Sequence, residues 1–120
     1  MNKFIFAGRV AAAPELKRTG STTVVKFRLL RNEYAGKDDA GQAMERQVAI
    51  PFTVFGKRAE AISEHVLKGD QLIVEASIEN NRYTDSHGEE KFDYNFIVSD
   101  FEFGAPGEEK RRQLAAKHGG

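Results

Sequence analysis

The sequence predicts an all-β protein, a small five-stranded Greek-key barrel with one short helix between its third and fourth strands. Two observations predict this class. Apolar and polar residues alternate in several separate runs, the period-two pattern of strands with one buried face. The spacing becomes helical only after Phe55, where Ala59, Ile62 and Val66 fall on one face of a short helix.

Length and composition limit the class of protein. The chain has 120 residues, 40% of them hydrophobic and 30% charged, which is typical of one globular domain. It has no cysteine, so disulfides and thiolate metal sites are excluded. No apolar run is long enough to span a bilayer, and the first residues enter a strand pattern without a secretory signal. We therefore expect a cytoplasmic protein with no membrane partner.

The first predicted strand covers residues 3–12. Its even positions from 4 to 10 are apolar or small, while Lys3 and Arg9 lie on the opposite face. Gly8, inside this run, indicates a bulge or a sharp bend. Unpaired strand edges invite pairing with a second copy of the chain, so this strand is the candidate oligomer contact.

The second predicted strand, Thr22–Leu30, follows a turn at Thr19-Gly20-Ser21. Its odd positions from 25 to 29 are apolar, and its even positions include Lys26 and Arg28. We expect the first two strands to form a hairpin. The polar stretch Gly36–Gly41 is long for a hairpin loop and is expected to be mobile.

The centre of the chain is strand, helix, strand. The apolar, β-branched run Val48–Phe55 is the third strand, and the helix follows it. Lys68 and Gly69 are expected to stop the helix, as a cation in the last turn and a glycine for a left-handed cap. The fourth strand, Leu72–Ile78, alternates cleanly.

The last predicted strand, residues 91–103, follows a turn at 84–88 that makes a second protruding hairpin. The apolar parity of this strand shifts along its length, and a bulge near residue 98 would reconcile the two halves. The fold is expected to end before Gly104, which gives a domain of residues 1–103 and a flexible charged tail of residues 104–120.

Charge is unevenly distributed although the net charge is zero. Residues 1–35 hold seven Lys or Arg against two Glu, a balance of +5. Residues 85–102 hold one Lys against six Asp or Glu, a balance of −5. One part of the surface is therefore basic and another acidic, which is either ordinary scatter or a binding surface for an anionic polymer.

These motifs resemble those of the single-stranded DNA-binding (SSB) family of bacteria, phages and plasmids. The matching positions are Asn2, Gly8-Arg9, Pro14-Glu15, Phe27-x-Leu29, Asn32, Phe55-Gly56-Lys57-x-Ala59-Glu60, Lys68-Gly69-Asp70 and Tyr83-x-Asp85-x-x-Gly88. Their order and spacing extend over residues 1 to about 103. The family fold is the oligonucleotide/oligosaccharide-binding (OB) barrel, which agrees with the pattern above.

The resemblance implies sequence-tolerant binding of single-stranded DNA during replication, recombination or repair, without a cofactor, a metal or a small-molecule substrate. Bases would stack on aromatic side chains in a basic groove. Phe55 and Tyr83 fall on family stacking positions, while Tyr34 lies within one residue of another, which Ala35 could occupy instead. Phe55 could instead be a core residue beside the helix. Lys57, Lys68 and Arg82 match basic family positions, and the basic cluster adds four more candidates, Lys3, Arg9, Arg28 and Arg31.

Two features depart from the family pattern. Ala49 stands where some members stack a tryptophan, and the chain has no tryptophan. The chain ends in a short tail with a balance of +2, four Lys or Arg against Glu108 and Glu109, where many cellular members have an acidic tip. The chain is therefore expected to resemble a short phage, plasmid or mobile-element member. The family resemblance separately implies a homo-oligomer, with a tetramer favoured and a dimer as the alternative.

Rival functions remain open. An enzyme is disfavoured, because His65, His87 and His118 are scattered and none lies at metal-ligand spacing. A primosomal replication protein of the same lineage, or an OB-fold protein-interaction module, is the alternative. A nucleic-acid-binding module needs its aromatic and basic residues on one face, whereas a protein scaffold does not.

Overall fold

The computed structural model describes residues 1–118 and is mostly β. Its elements in chain order are β1 (Phe4–Val10), β2 (Glu15–Thr19), β3 (Thr22–Lys37), β4 (Ala43–Phe55), α1 (Lys57–His65), β5 (Gln71–Thr84), β6 (Glu90–Phe103) and α2 (Glu108–His118). The expected helix between the two central strands is confirmed. Among the described residues, neither helix has the length and apolar character needed to cross a membrane.

All six strands belong to one sheet, in the order β1-β5-β6-β4-β3-β2. The sheet closes on itself, because β1 also pairs with β3, the strand next to the end, at Arg9–Leu30 and Val10–Leu29. Neighbouring pairs are antiparallel except β4 and β6, which are parallel and in register at Thr53 and Ile97. The strands thus form a closed ring with an inner and an outer face.

The inner face of the ring holds the core. The alternations predicted for β1, β3 and the first half of β5 are confirmed, since their buried residues fall on the expected parity, whereas Ile78, expected inward, is 37% exposed. The core residues are Val10, Val25, Phe27, Leu29, Phe52, Val54, Ala59, Ile62, Val66, Leu72, Val74, Ala76 and Val98. Phe52 lies at the centre, with its ring 5.7–6.2 Å from those of Phe4, Phe6, Phe27 and Phe96.

Gly8 is needed for a close approach of strands. The β1–β5 ladder runs through Gly8 without a register shift, so the bulge considered from the sequence is absent there. A Cβ at this position would lie 2.8 Å from the carbonyl oxygen of Leu30, which no side chain tolerates without a backbone shift. The glycine therefore lets β1 pack onto β3 where the ring closes.

The expected hairpin of the first two strands is wrong in one respect. The strand β2, which the sequence did not predict, lies between them and forms the hairpin with β3 across Gly20. Every residue of β2 is exposed, so no apolar alternation marks it. The ring consequently has a sixth, short strand at its edge.

The predicted bulge in the last strand is confirmed. Glu75 pairs with Asp100 and Ala76 with Val98, so Ser99 is the extra residue. The Ser99 hydroxyl donates to the carbonyl oxygen of Glu75 at 3.1 Å. This bulge brings Phe101 back to the inner face, where it packs against the core.

The expected stop of α1 at Gly69 is wrong. The helix ends at His65, and Val66 already has extended backbone. Gly69 does adopt a positive φ of 88°, but in the turn that follows. Its N–H donates to the carbonyl oxygen of Val10, so it joins this turn to β1.

The segment after β6 returns to this turn. Asp70 is 4% exposed, and its carboxylate accepts hydrogen bonds from the N–H groups of Leu67 and Gly107 at 3.0 and 2.8 Å. It also forms a 2.8 Å ion pair with Lys110 in α2. Residues 108–118 are helical in the structure, and the flexibility expected of residues 104–120 stays a prediction. Gly119 and Gly120 lie outside the described residues.

Candidate nucleic-acid interface

The outer face of β2, β3 and β4 combines aromatic and basic side chains. Lys17, Val24 and Phe55 are register partners on three neighbouring strands, so they share this face. The next two outward positions of β3 are Lys26 and Arg28, both exposed. We call this surface, with Tyr34 at its far end, the outer face of β2–β4.

Tyr34 lies on the same face because the β3–β4 ladder runs in register from Val24 to Tyr34. These positions are ten residues apart, about 33 Å at the rise of a strand. The Tyr34 side chain is 65% exposed and that of Phe55 is 48% exposed. Two exposed rings therefore stand at opposite ends of a strip that has cations between them.

A groove with a volume of about 550 Å³ lies beside this face, between β4 and the first half of β6. Lys26, Arg28 and Pro51 line one side, and the other side holds Tyr94 and Phe96 together with one acidic residue, Asp93. The Tyr94 ring is 63% exposed. The groove therefore offers a stacking ring opposite two cations, the combination that single-stranded nucleic acid needs.

Tyr83 lies elsewhere on the ring. It is 48% exposed on the outer face of the β5–β6 hairpin and pairs with Lys91. No ladder joins it to Tyr34 or Phe55 directly, because β4 and β6 pair only near Thr53. The structure thus brings two of the three predicted stacking residues onto one face and leaves the third on a neighbouring hairpin.

Three of the predicted basic residues are partly neutralised by carboxylates. Lys3 pairs with Glu75 at 2.9 Å, and the hydrogen bond from that pairing raises the pKa of Lys3. Arg31 lies 3.5 Å from Glu33. Arg82 lies 3.9 Å from Glu90, and its guanidinium is 5.0 Å from the centre of the Phe92 ring.

The other predicted basic residues have no carboxylate within 4 Å among residues 1–118. Arg28 lies on the outer face of β2–β4, and Lys57 begins α1 directly after Phe55 and Gly56. Lys68 is exposed in the turn after α1. Arg9 donates to the carbonyl oxygen of Gly69 at 2.9 Å. The structure does not gather these four into one cluster.

The two protruding hairpins have the same loop construction. Oδ1 of Asp38 accepts hydrogen bonds from the N–H groups of Ala40 and Gln42, and a glycine with positive φ occupies the fourth loop position. In the other hairpin, Oδ1 of Asp85 accepts hydrogen bonds from the N–H groups of His87 and Glu89, two and four residues later. Each loop is therefore fixed locally by one aspartate.

The residues that sequence reasoning missed are Lys17, Lys26 and Tyr94. Lys26 lies on the same face of β3 as Arg28, and the alternation in the sequence did indicate that shared face. Tyr94 shares the parity of Phe96 and Val98 in β6, both of which belong to the core or pack against it. Its exposure follows from the length of the hairpin, which extends beyond the core.

His65 and His87 lie on different elements of the fold. Within residues 1–118, no three His, Asp or Glu side chains gather as metal ligands would. His65 packs its ring edge-on against Phe103 at 6.3 Å, and His87 lies in the exposed loop after β5. The side chain of His118 lies outside the described residues.

Known sequences resemble this chain over most of its length. The sequence model of the single-strand binding protein family matches residues 1–104. A single-stranded DNA-binding protein of Clostridium perfringens is 33% identical over 105 residues, which cover 86% of this chain and 65% of that protein. A single-stranded DNA-binding protein of Xylella fastidiosa is 25% identical over 127 residues, which cover 98% of this chain and 77% of that protein. The chain thus spans about two thirds of the length of the Clostridium relative.

A solved structure shares the fold. The Plasmodium falciparum SSB in complex with ssDNA superposes with a TM-score of 0.73 at 22% sequence identity. The match covers 87% of this chain and 95% of that one. The predicted OB-fold is therefore confirmed, with β2 as an added strand and α1 between β4 and β5.

Proposed function

Because this chain belongs to the single-strand binding protein family, we propose that it binds single-stranded DNA without sequence specificity. Bases stack on exposed aromatic rings while basic side chains contact phosphates. In this proposal residues 1–103 carry the binding, and the bound strand is protected during replication, recombination or repair. A cytoplasmic location and the absence of catalytic activity stay predictions.

The observation that carries the proposal is the composition of the outer face of β2–β4. Tyr34 and Phe55 expose their rings there, and Lys26 and Arg28 lie between them with no carboxylate within 4 Å among the described residues. A protein scaffold has no need of stacking rings and cations on one face. A polyanion with unpaired bases needs both.

Binding of oligo-dT is expected to weaken as salt rises. Each phosphate contact releases counterions, and the logarithm of affinity falls with the logarithm of salt by about 0.7 per contact for single strands. Fluorescence anisotropy at several salt concentrations measures this slope, with duplex DNA of equal length as the control. Affinity for oligo-dT that does not change with salt, or equal affinity for the duplex, would refute the proposal.

Replacing Tyr34 or Tyr83 by alanine is expected to cost about 1–3 kcal/mol of binding free energy per stacked base. Both rings are exposed, so the melting temperature should change little. Titration of oligo-dT and thermal melting measure the two effects. Wild-type affinity in both variants would mean that these tyrosines do not stack bases.

We propose further that the chain is a homo-oligomer paired through β1, with a tetramer favoured over a dimer. Residues 4–8 of β1 pair with β5 on one side, while the only pairing with β3 begins at Arg9. Their other edge is open to a second copy, and Ile5 is exposed beside it. Light scattering should give a mass above that of the monomer at micromolar concentration, and a monomer throughout would contradict this assembly.

A further inference from the structure

The groove between β4 and β6 exists because these two strands separate. They pair at Thr53 and Ile97 and diverge towards Pro51 and Asn95, which both line the groove. The edge of β6 that faces β4 is therefore open before Ile97. Residues 93–96 all line the groove along this edge, although their side chains alternate between two faces. A volume of about 550 Å³ is in the range of sites that hold a small organic group.

The two walls of the groove differ in chemistry. Lys26 and Arg28 lie on the wall of β3 and β4, and no carboxylate among residues 1–118 lies within 4 Å of either. The wall of β6 carries the exposed Tyr94 ring and, next to it, the carboxylate of Asp93. A phosphate is attracted to the first wall and repelled by the second. A single strand in the groove therefore turns its phosphates towards Lys26 and Arg28, and a base towards Tyr94.

Asp93 has an acceptor oxygen to offer beside the Tyr94 ring. Its Oδ1 accepts a hydrogen bond from the N–H of Tyr94 at 2.8 Å, which holds the carboxylate next to the ring. Within residues 1–118, no Lys or Arg lies within 4 Å of this carboxylate, and Oδ2 accepts no hydrogen bond. Oδ2 is thus available to a donor on a base that lies against Tyr94.

A carboxylate distinguishes bases by their amino groups, because an ionised carboxylate accepts hydrogen bonds and donates none. Cytosine presents an amino group at N4, and aspartate accepts from it. Thymine and uracil carry the acceptor O4 at the same place, and two acceptors repel each other. A pyrimidine on Tyr94 therefore gains a hydrogen bond from Asp93 when it is cytosine and loses one when it is thymine or uracil.

Resting on the proposed function, we propose that Asp93 gives the groove a preference for bases that carry an amino group. One base of the bound strand stacks on Tyr94 and donates from its amino group to Oδ2 of Asp93. The preference belongs to this one position in each chain, and binding elsewhere along the strand stays tolerant of sequence. Asp93 is therefore a specificity-determining residue on a surface that otherwise reads no sequence.

Oligo-dC and oligo-dU of equal length test the preference, because their bases have the same size and differ in the amino group. A homopolymer also places the same base on Tyr94 in every register. The wild type should bind oligo-dC about fivefold more tightly than oligo-dU, the low end for a side chain that reads one base. Fluorescence anisotropy at one salt concentration and mildly alkaline pH, where oligo-dC stays unstructured, measures both affinities.

Asp93→Asn should bring this affinity ratio to one or below. The asparagine oxygen keeps the hydrogen bond from the Tyr94 N–H, so its NH₂ group faces the base and donates to O4 of uracil. Asp100→Asn is the matched control on the same strand. Its Oδ1 accepts from the N–H of the next residue, Phe101, at 2.9 Å, but Asp100 does not line the groove. This control removes the same charge and should keep the wild-type ratio.

Tyr94→Ala should weaken binding of both oligomers and bring their ratio to one, because the base loses the ring that holds it beside Asp93. Melting temperatures check that each variant folds. If the wild type binds both oligomers and Asp93→Asn keeps the wild-type ratio, the preference is refuted and the proposed function stands. A wild type that binds neither oligomer refutes both.

Discussion

Replacing Phe52 by alanine is expected to lower the free energy of unfolding by about 3–5 kcal/mol. The ring is 1% exposed and lies within 6.2 Å of four other phenylalanine rings. Its removal leaves a cavity that strands of a closed ring cannot easily collapse to fill. Urea unfolding measures the loss. Phe52→Leu leaves a smaller cavity, so its free energy of unfolding should lie between those of the wild type and Phe52→Ala, and it can still be measured if the alanine variant does not fold.

Phe55 supplies the matched control, three residues away on the same strand. Phe55 faces outward and is 48% exposed, so the core role considered from the sequence is not supported by its burial. Phe55→Leu should therefore leave the unfolding curve close to wild type and weaken binding of oligo-dT, because leucine keeps apolar volume but has no π-face. A Phe55→Leu variant with wild-type affinity and lower stability would reverse the two assignments.

The sequence determines which face a strand residue occupies better than it determines how far the strand extends. The alternation at Phe27 and Val74 placed both side chains on the correct side. Tyr94 follows the same parity in β6 but lies beyond the core, where the hairpin has no opposite wall. Periodicity reports the direction of a side chain, and burial depends on what lies across from it.

Elements that rely on distant contacts were the ones that the sequence could not predict. The strand β2 has no apolar face, and it forms because β3 offers it a partner edge. The contact between Asp70 and Lys110 joins residues forty positions apart, and no local spacing indicates it. The same holds for the candidate site. The parity of β3 indicated that Lys26 faces outward, whereas the space beside Arg31 exists only because β1 and β3 diverge.

The second large effect concerns Asp70. Replacing it by asparagine keeps its size but puts an NH₂ group among donors, namely the N–H groups of Leu67 and Gly107 and the ammonium of Lys110. Breaking a buried ion pair in this way should lower the free energy of unfolding by about 3 kcal/mol. This is the low end of the usual range, because Lys110 is partly exposed. Lys110→Met is the matched control and should cost less, since both backbone donors keep their acceptor.

The same carboxylate makes stability depend on acid. Burial acts to raise the pKa of Asp70, but the hydrogen bonds from Lys110, Gly107 and Leu67 and the ammonium charge outweigh it, so the pKa lies below its usual value. A lowered pKa in the folded state gives stability that is present above the unfolded pKa of about 3.9 and is lost as pH falls through the folded pKa. As the pH is lowered from neutral, the melting temperature should therefore fall more steeply in the wild type than in Asp70→Asn. The two curves of melting temperature against pH should converge in acid. Parallel curves over that window would mean that Asp70 does not hold α2 through its charge.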